Sequence, residues 1–252
     1  MSSTTAEVKK SPSNTPKTEA KQAPETSSRR FVHLHTHTHY SLLQALPKIP
    51  DLVKKAKAFG MDALAVTDNG NMYATIEFVK ETAGTGIKPI IGVDFFVAMR
   101  TRLDKEPRID NRSKKLVLLA KDSIGYQNLV QLVTRSNFEG FYYRPRIDKE
   151  LIEAHKDGVI AILPSFGGEA VAHARTGNLE EAKKVVEYYK SVYGSSKDPK
   201  ESNLFIEITK HDDIDDHATT MERMKQIAEE CEVPIVAAHN IFYISPDDKK
   251  AR

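Results

Sequence analysis

Cysteine is nearly absent: Cys231 is the only one in 252 residues. A single thiol builds neither a disulfide framework nor a thiolate zinc cluster, and it suits a reduced, cytoplasmic compartment. No apolar run is long enough to span a membrane, and the N-terminus lacks the apolar core of a secretory signal. An excess of one sign of charge is also missing. The net charge of +2 is too small to imply nucleic-acid binding by itself. Gly84 to Gly86 and Gly167-Gly168 are too sparse for phosphate-cradling loops. There is no internal repeat, and no spacing supports a Ser-His-Asp or Cys-His nucleophile. What remains, at 40% hydrophobic and 29% charged residues, is enough for one large domain with a real core.

Residues 1–30 differ from the rest. They are rich in Ser, Thr, Lys, Pro and Ala and contain no aromatic residue. Such a segment cannot bury enough apolar surface to offset its ordering entropy, so a disordered tail is expected. Its Lys9, Lys10, Lys17, Lys21, Arg29 and Arg30 outnumber its three glutamates. Weak polyanion contact is one reading of that excess and a solubilising tail the other.

From residue 31 strand and helix patterns alternate. Apolar runs predict strands at 31–35, 63–67, 89–97, 116–120, 158–163, 204–208 and 234–238. Helical spacing predicts helices at 49–59, 72–83, 126–136, 179–193 and 221–232. Residues 100–113 read as a charged, solvated loop, with DNA-backbone contact as an alternative. Seven strands mostly separated by helices imply parallel βα units and an α/β fold. A distorted seven-stranded (β/α) barrel is the first choice and a doubly wound open sheet the second. Either would gather functional groups at strand C-termini, where His35, His37, Asp68, Asp94 and Asn240 fall.

The densest chemistry lies in Phe31-Val-His-Leu-His-Thr-His-Thr-His-Tyr-Ser-Leu-Leu43, where His33, His35, His37 and His39 occupy every second position. On a strand these imidazoles would project to one side, and neutral imidazoles bind first-row metals well. His155, His173, His211 and His217 look scattered, as surface or cap residues.

That stretch, together with Ala65-Val-Thr-Asp-Asn-Gly-Asn-Met72, Gly86-Ile-Lys-Pro-Ile-Ile-Gly92, Leu118-Leu-Ala-Lys-Asp-Ser-Ile-Gly-Tyr-Gln-Asn-Leu129 and Gly140-Phe-Tyr-Tyr-Arg-Pro-Arg-Ile-Asp148, resembles the PHP (polymerase and histidinol phosphatase) family. The version resembled is that at the N-terminus of bacterial replicative DNA polymerase III alpha subunits. The resemblance implies a PHP domain over 31–252 that stops before the polymerase palm, as a fragment or an isolated domain. It also implies a TIM-like barrel with a ring of metal ligands at its mouth. Members that keep the full ring hydrolyse phosphoesters or act as 3′–5′ exonucleases, using closely spaced divalent ions to activate water.

Carried over position by position, the ring is incomplete. His35 and His37 match, and Asp94 stands where an acidic ligand is expected. Gln44 replaces an Asp, Asn69 a His, Lys115 a His and Ser165 a Cys. The terminal Asn-Asp-x-His is His239-Asn240-Ile241-Phe242, and His239 would face the wrong side of a strand to substitute. The implied metal residues are therefore His35, His37 and Asp94, holding at most one weakly bound zinc or manganese ion, with no catalytic residue. The implied role is structural: support for the rest of the alpha subunit and docking of a proofreading exonuclease subunit, with DNA touched weakly or indirectly. A stand-alone metal-dependent phosphoesterase or exonuclease is the alternative.

Overall fold

A computed structural model describes residues 31–251; the expected disordered tail at 1–30 lies outside the described residues. Strands β1 (Ala63–Asn69), β2 (Lys88–Ala98), β3 (Ser113–Ala120), β4 (Arg146–Ile147), β5 (Val159–Leu163), β6 (Leu204–Ile208) and β7 (Ile235–Ala237) form one curled α/β sheet. Its order is β1-β2-β3-β5-β6-β7, with β4 beside β2. Helices α1 (Ile49–Ala58), α2 (Thr75–Thr82), α3 (Ser123–Phe138), α4 (Lys149–Ala154), α5 (Glu169–Arg175), α6 (Leu179–Tyr193) and α7 (His217–Glu230) pack around it. None is long and apolar enough to cross a membrane.

Two features depart from a regular barrel. β3 runs antiparallel to both β2 and β5, while the other pairings are parallel. The expected strand at 31–35 is instead an irregular extended segment bridging the gap between β1 and the residues after β7. Ala65 and Thr67 N–H groups donate to the carbonyls of His33 and Thr36, and on the other side the His37 N–H donates to the Ile241 carbonyl and the Ile241 N–H to that of His35.

Period-2 alternation sorts the side chains. Leu116, Leu118, Val93, Phe95 and Val97 face outward into a core shared with helices α3 to α7. Leu64 and Val66 face α1 and α2. Ala65, Val117, Leu119 and Ile162 face the concave interior, with Leu34, Ile90, Ile160, Phe205 and Val236 below them. Gly92 lies where β2 passes closest to β3. A Cβ there would come 2.5 Å from Leu119 Cδ2 and 2.7 Å from the Leu118 carbonyl.

The sequence pattern missed β4, α4 and α5. It also misjudged the 100–113 loop. Arg102 is buried and pairs with Asp148 at 3.1 Å, Glu139 at 2.7 Å and Glu150 at 2.8 Å. Arg146 is buried too, donating to the carbonyls of Gly140, Asp110, Arg102 and Asp104. The loop is thus tied down by buried guanidinium groups rather than solvated throughout.

Phe95 and Leu118 are fully buried. Phe95→Ala is expected to cost about 3–5 kcal/mol through the cavity it leaves, read as a lowered urea midpoint at unchanged slope. Ile76→Ala, on the exposed face of α2, should stay within about 0.5 kcal/mol. Equal losses in the two variants would contradict the assignment of the core to the outer sheet face.

Candidate metal centre

The interior turns polar toward the end of the sheet where β1, β6 and β7 finish. Asp94 sits level with Asn69, the last residue of β1. The antiparallel register sets Lys115 opposite Phe96, one inward position beyond Asp94. Glu207 projects inward from β6, and the bridging segment delivers His35 and His37.

These groups converge on one oxygen. Asp94 Oδ2 accepts from Lys115 Nζ at 2.7 Å, and lies 3.3 Å from His37 Nε2 and 3.6 Å from His35 Nε2. One donor atom each from His35, His37 and Asp94 lies within 4.8 Å of the others, and all three residues are buried. His35 Nδ1 donates to Glu207 Oε2 at 2.8 Å, and the other Glu207 oxygen accepts from Ser165 N–H and Oγ. His37 Nδ1 faces the Ile241 carbonyl at 3.2 Å. A carboxylate or carbonyl at Nδ1 is the arrangement that orients imidazoles for a metal on the opposite nitrogen. His35 Nε2 and Asp94 Oδ1 are buried with no hydrogen-bond partner among the described residues.

The remaining surroundings differ from a ligand ring. Asn69 Oδ1 accepts from Lys115 Nζ, and Asn69 Nδ2 donates to Gln44 Oε1 at 2.8 Å. Phe242 stacks flat on the His37 ring at 4.3 Å. Together with Phe166, His211 and Asn240 these residues line a mouth cavity of about 420 Å³.

Other candidates fall elsewhere. Asp68 is at the same end, but its carboxylate accepts from Thr38 N–H, Thr38 Oγ1 and Ser41 Oγ, closing the 38–41 turn. The row of four imidazoles is not realised, because the segment is not a regular strand. His33 packs edge-on against Phe31, and His39 lies against Tyr40. His239 is 5.6 Å from His211, ring to ring. His217 is buried at the start of α7, stacked on Phe166 and bonded to Thr209, so it and His211 are not scattered surface residues. Glu207 went unrecognised from sequence. Its signal was a lone carboxylate inside the apolar run Leu204-Phe-Ile-Glu-Ile208.

Charges balance inside the site. Burial alone would depress the His35 pKa, but the carboxylates of Glu207 and Asp94 outweigh it and raise it to about 9. Burial would raise the Asp94 pKa, yet Lys115 and the two imidazoles hold it well below the usual carboxylate range. Glu207 is likewise held low against burial by His35 and Ser165. Burial and the charged neighbours keep the His37 pKa low, despite Asp94. Burial lowers the Lys115 pKa while Asp94 opposes that fall, so two carboxylates face an imidazolium and an ammonium, with His37 neutral. A neutral imidazole can donate to only one of the two acceptors its nitrogens face.

A basic group whose folded pKa is raised stabilises the fold below its unfolded pKa and loses that contribution as pH rises through the folded value. For His35 the window runs from about 6.5, the ordinary value, to about 9. The thermal midpoint in chelator should decline across this window, and Glu207→Gln should flatten the decline. An unchanged slope in Glu207→Gln would reject the imidazolium–carboxylate pair.

The model of the PHP domain family matches residues 33–211. Among curated proteins the chain is similar to the DNA polymerase III subunit alpha of Borreliella burgdorferi, 38% identical over 224 residues, covering 88% of this chain and 19% of that protein. The subunit of the same name from Aquifex aeolicus is 35% identical over 230 residues, covering 89% of this chain and 19% of that protein. The chain thus spans about a fifth of the length of these relatives. Among solved structures it is similar to a candidate metal-dependent phosphoesterase from Bifidobacterium adolescentis. The TM-score is 0.56 at 11% identity, over 85% of this chain and 88% of that one. That likeness concerns the fold.

Proposed function

The chain belongs to the PHP domain family, and from that premise we propose that it is the PHP module of a bacterial replicative DNA polymerase alpha subunit whose metal centre no longer hydrolyses phosphoesters. In this reading it works in the cytoplasm as a structural element of the polymerase. It braces the remainder of the alpha subunit and offers a docking surface to a proofreading exonuclease subunit. Similarity to DNA polymerase III alpha subunits over nearly nine tenths of the chain supports the polymerase context.

The observation that carries the loss of hydrolysis is the Lys115 ammonium on Asp94. A hydrolytic cluster needs several donors for each of two or more cations, which activate water and neutralise the phosphate. Here Asn69 and Gln44 supply neutral amides bonded to each other, Phe242 supplies an aromatic face, and Lys115 supplies a positive charge. These residues do not fit a cluster. His35, His37 and Asp94 remain, a set for at most one weakly held zinc or manganese ion. The phosphoesterase alternative draws on the fold likeness and requires a fuller ligand set than this mouth offers.

The 252-residue chain is expected to release no product above background from a phosphodiester or a 3′-labelled DNA strand with manganese, zinc, magnesium or cobalt. The paired change His35→Ala and His37→Ala, made in the complete alpha subunit, should lower the thermal midpoint by stranding the Asp94 and Glu207 carboxylates, while polymerase activity, per folded molecule, stays largely intact. Phe95→Ala should impair it through folding. A divalent-dependent hydrolysis abolished by the histidine pair in folded protein would replace this reading with the phosphoesterase.

A further inference from the structure

The mouth has three features of a metal site and three that a metal site does not need. Two histidine rings and a carboxylate converge, both Nδ1 atoms are fixed from behind, and His35 Nε2 and Asp94 Oδ1 lack hydrogen-bond partners among the described residues. Around Lys115, however, three elements are shaped to an ammonium. Asn69 on β1 turns its carbonyl oxygen, an acceptor, toward Nζ. Phe96 on β2 places its ring face 3.9 Å from Nζ, where the aromatic quadrupole attracts a cation. Gly167 lies against the aliphatic stem. It adopts φ +72°, and a Cβ there would come 2.9 Å from Lys115 Cγ. The backbone secures the base of the side chain, as Lys115 N–H donates to the Gly167 carbonyl at 2.9 Å.

We propose that Lys115 is a tethered cation occupying the place of a divalent ion beside His35, His37 and Asp94, and that its removal converts the mouth into a single-ion metal site. The ammonium and a divalent ion compete for the same Asp94 oxygen, and like charges so close repel strongly in a buried setting. A covalently attached side chain cannot dissociate, so Asp94 keeps its partner whatever the metal supply. A lone ammonium offers no coordination position for water, so the same feature that stabilises the mouth silences it. This inference rests on the reading of the chain as a non-hydrolytic PHP module.

The test is cobalt(II) titration of the 252-residue chain, followed by visible d–d absorption and thermal midpoint. The proteins compared are wild type, Lys115→Ala, Lys115→Met and Lys115→Arg. Lys115→Ala and Lys115→Met should each take up one Co²⁺ per chain, at least about 10-fold more tightly than wild type or Lys115→Arg, as the loss of a nearby unit charge implies. Adding His35→Ala should remove the band. If the two neutral variants are unfolded without metal, Co²⁺ should restore their circular dichroism. The proposal is overturned if wild type binds Co²⁺ as tightly as Lys115→Ala. It is also overturned if both neutral variants bind no more tightly than wild type, or stay unfolded with and without Co²⁺. Wild type that binds two or more ions and cleaves a phosphodiester would refute the non-hydrolytic reading itself. Neutral variants that ignore Co²⁺, with wild type inactive, would refute only the role given to Lys115.

Discussion

The Asp94 carboxylate is the group around which the mouth is organised. It is 2% exposed, and an isolated carboxylate at that depth would lose several kcal/mol of hydration. Lys115 lies against its Oδ2, with His37 and His35 beside it. Glu207, equally buried, completes the set by holding His35 from behind. Removing one member would strand an opposite charge in a dry interior, a larger penalty than the pair's own net contribution. The bridging segment, β1, β2, β3 and β6 all carry a member of this set or a direct partner, so its electrostatic balance couples elements far apart in the chain.

The direction of β3 makes that balance reachable. A parallel strand brings its C-terminal residues to the functional end, whereas β3 brings its beginning. Lys115 near the start of β3 is therefore level with the polar layer, and Val117 and Leu119 fall progressively deeper among the apolar interior residues. The alternation that turns Leu116 and Leu118 toward the helices turns Lys115 toward Asp94. No special device is required beyond a period of two and an antiparallel register.

Much of the α/β architecture was legible because it depends on contiguous apolar runs. The runs at 204–208 and 179–193 have the limits of β6 and α6. His35, His37 and Asp94, named from the resemblance, are brought together. What escaped was set by partners distant in sequence. β4 is two residues long and exists because Phe96 and Val97 pair with it. Asp148 caps α4 through the Leu151 N–H, a signal too short to stand out beside the basic loop. Glu207 reads locally as a solvent-facing break in a strand. Only the curl of the sheet shows that this face is interior. The reversal of β3 did leave a trace, since the 100–113 connection has no helical spacing and a parallel crossover normally carries a helix. The irregular path of 33–39 left none, and assuming a strand there gave four aligned imidazoles where the structure aligns two.

The division of labour between the two sheet faces explains how such a fold can keep its shape while its chemistry changes. The large core lies outside, between the sheet and α3 to α7, and a second cluster joins β1 to α1 and α2. The mouth adds polar residues to the concave side, where the apolar layer is thin and the lower end opens into a cavity of about 720 Å³. Exchanging a ligand at the mouth therefore disturbs few of the contacts that carry folding energy, provided the buried charges still cancel. That proviso limits which exchanges are tolerated. A neutral residue at position 115 would leave Asp94 and Glu207 facing the His35 imidazolium alone, and a divalent ion there would supply more charge than the ammonium does. Lysine meets the requirement with one side chain. Asn69, Phe96 and Gly167 are the neighbours that let it fit.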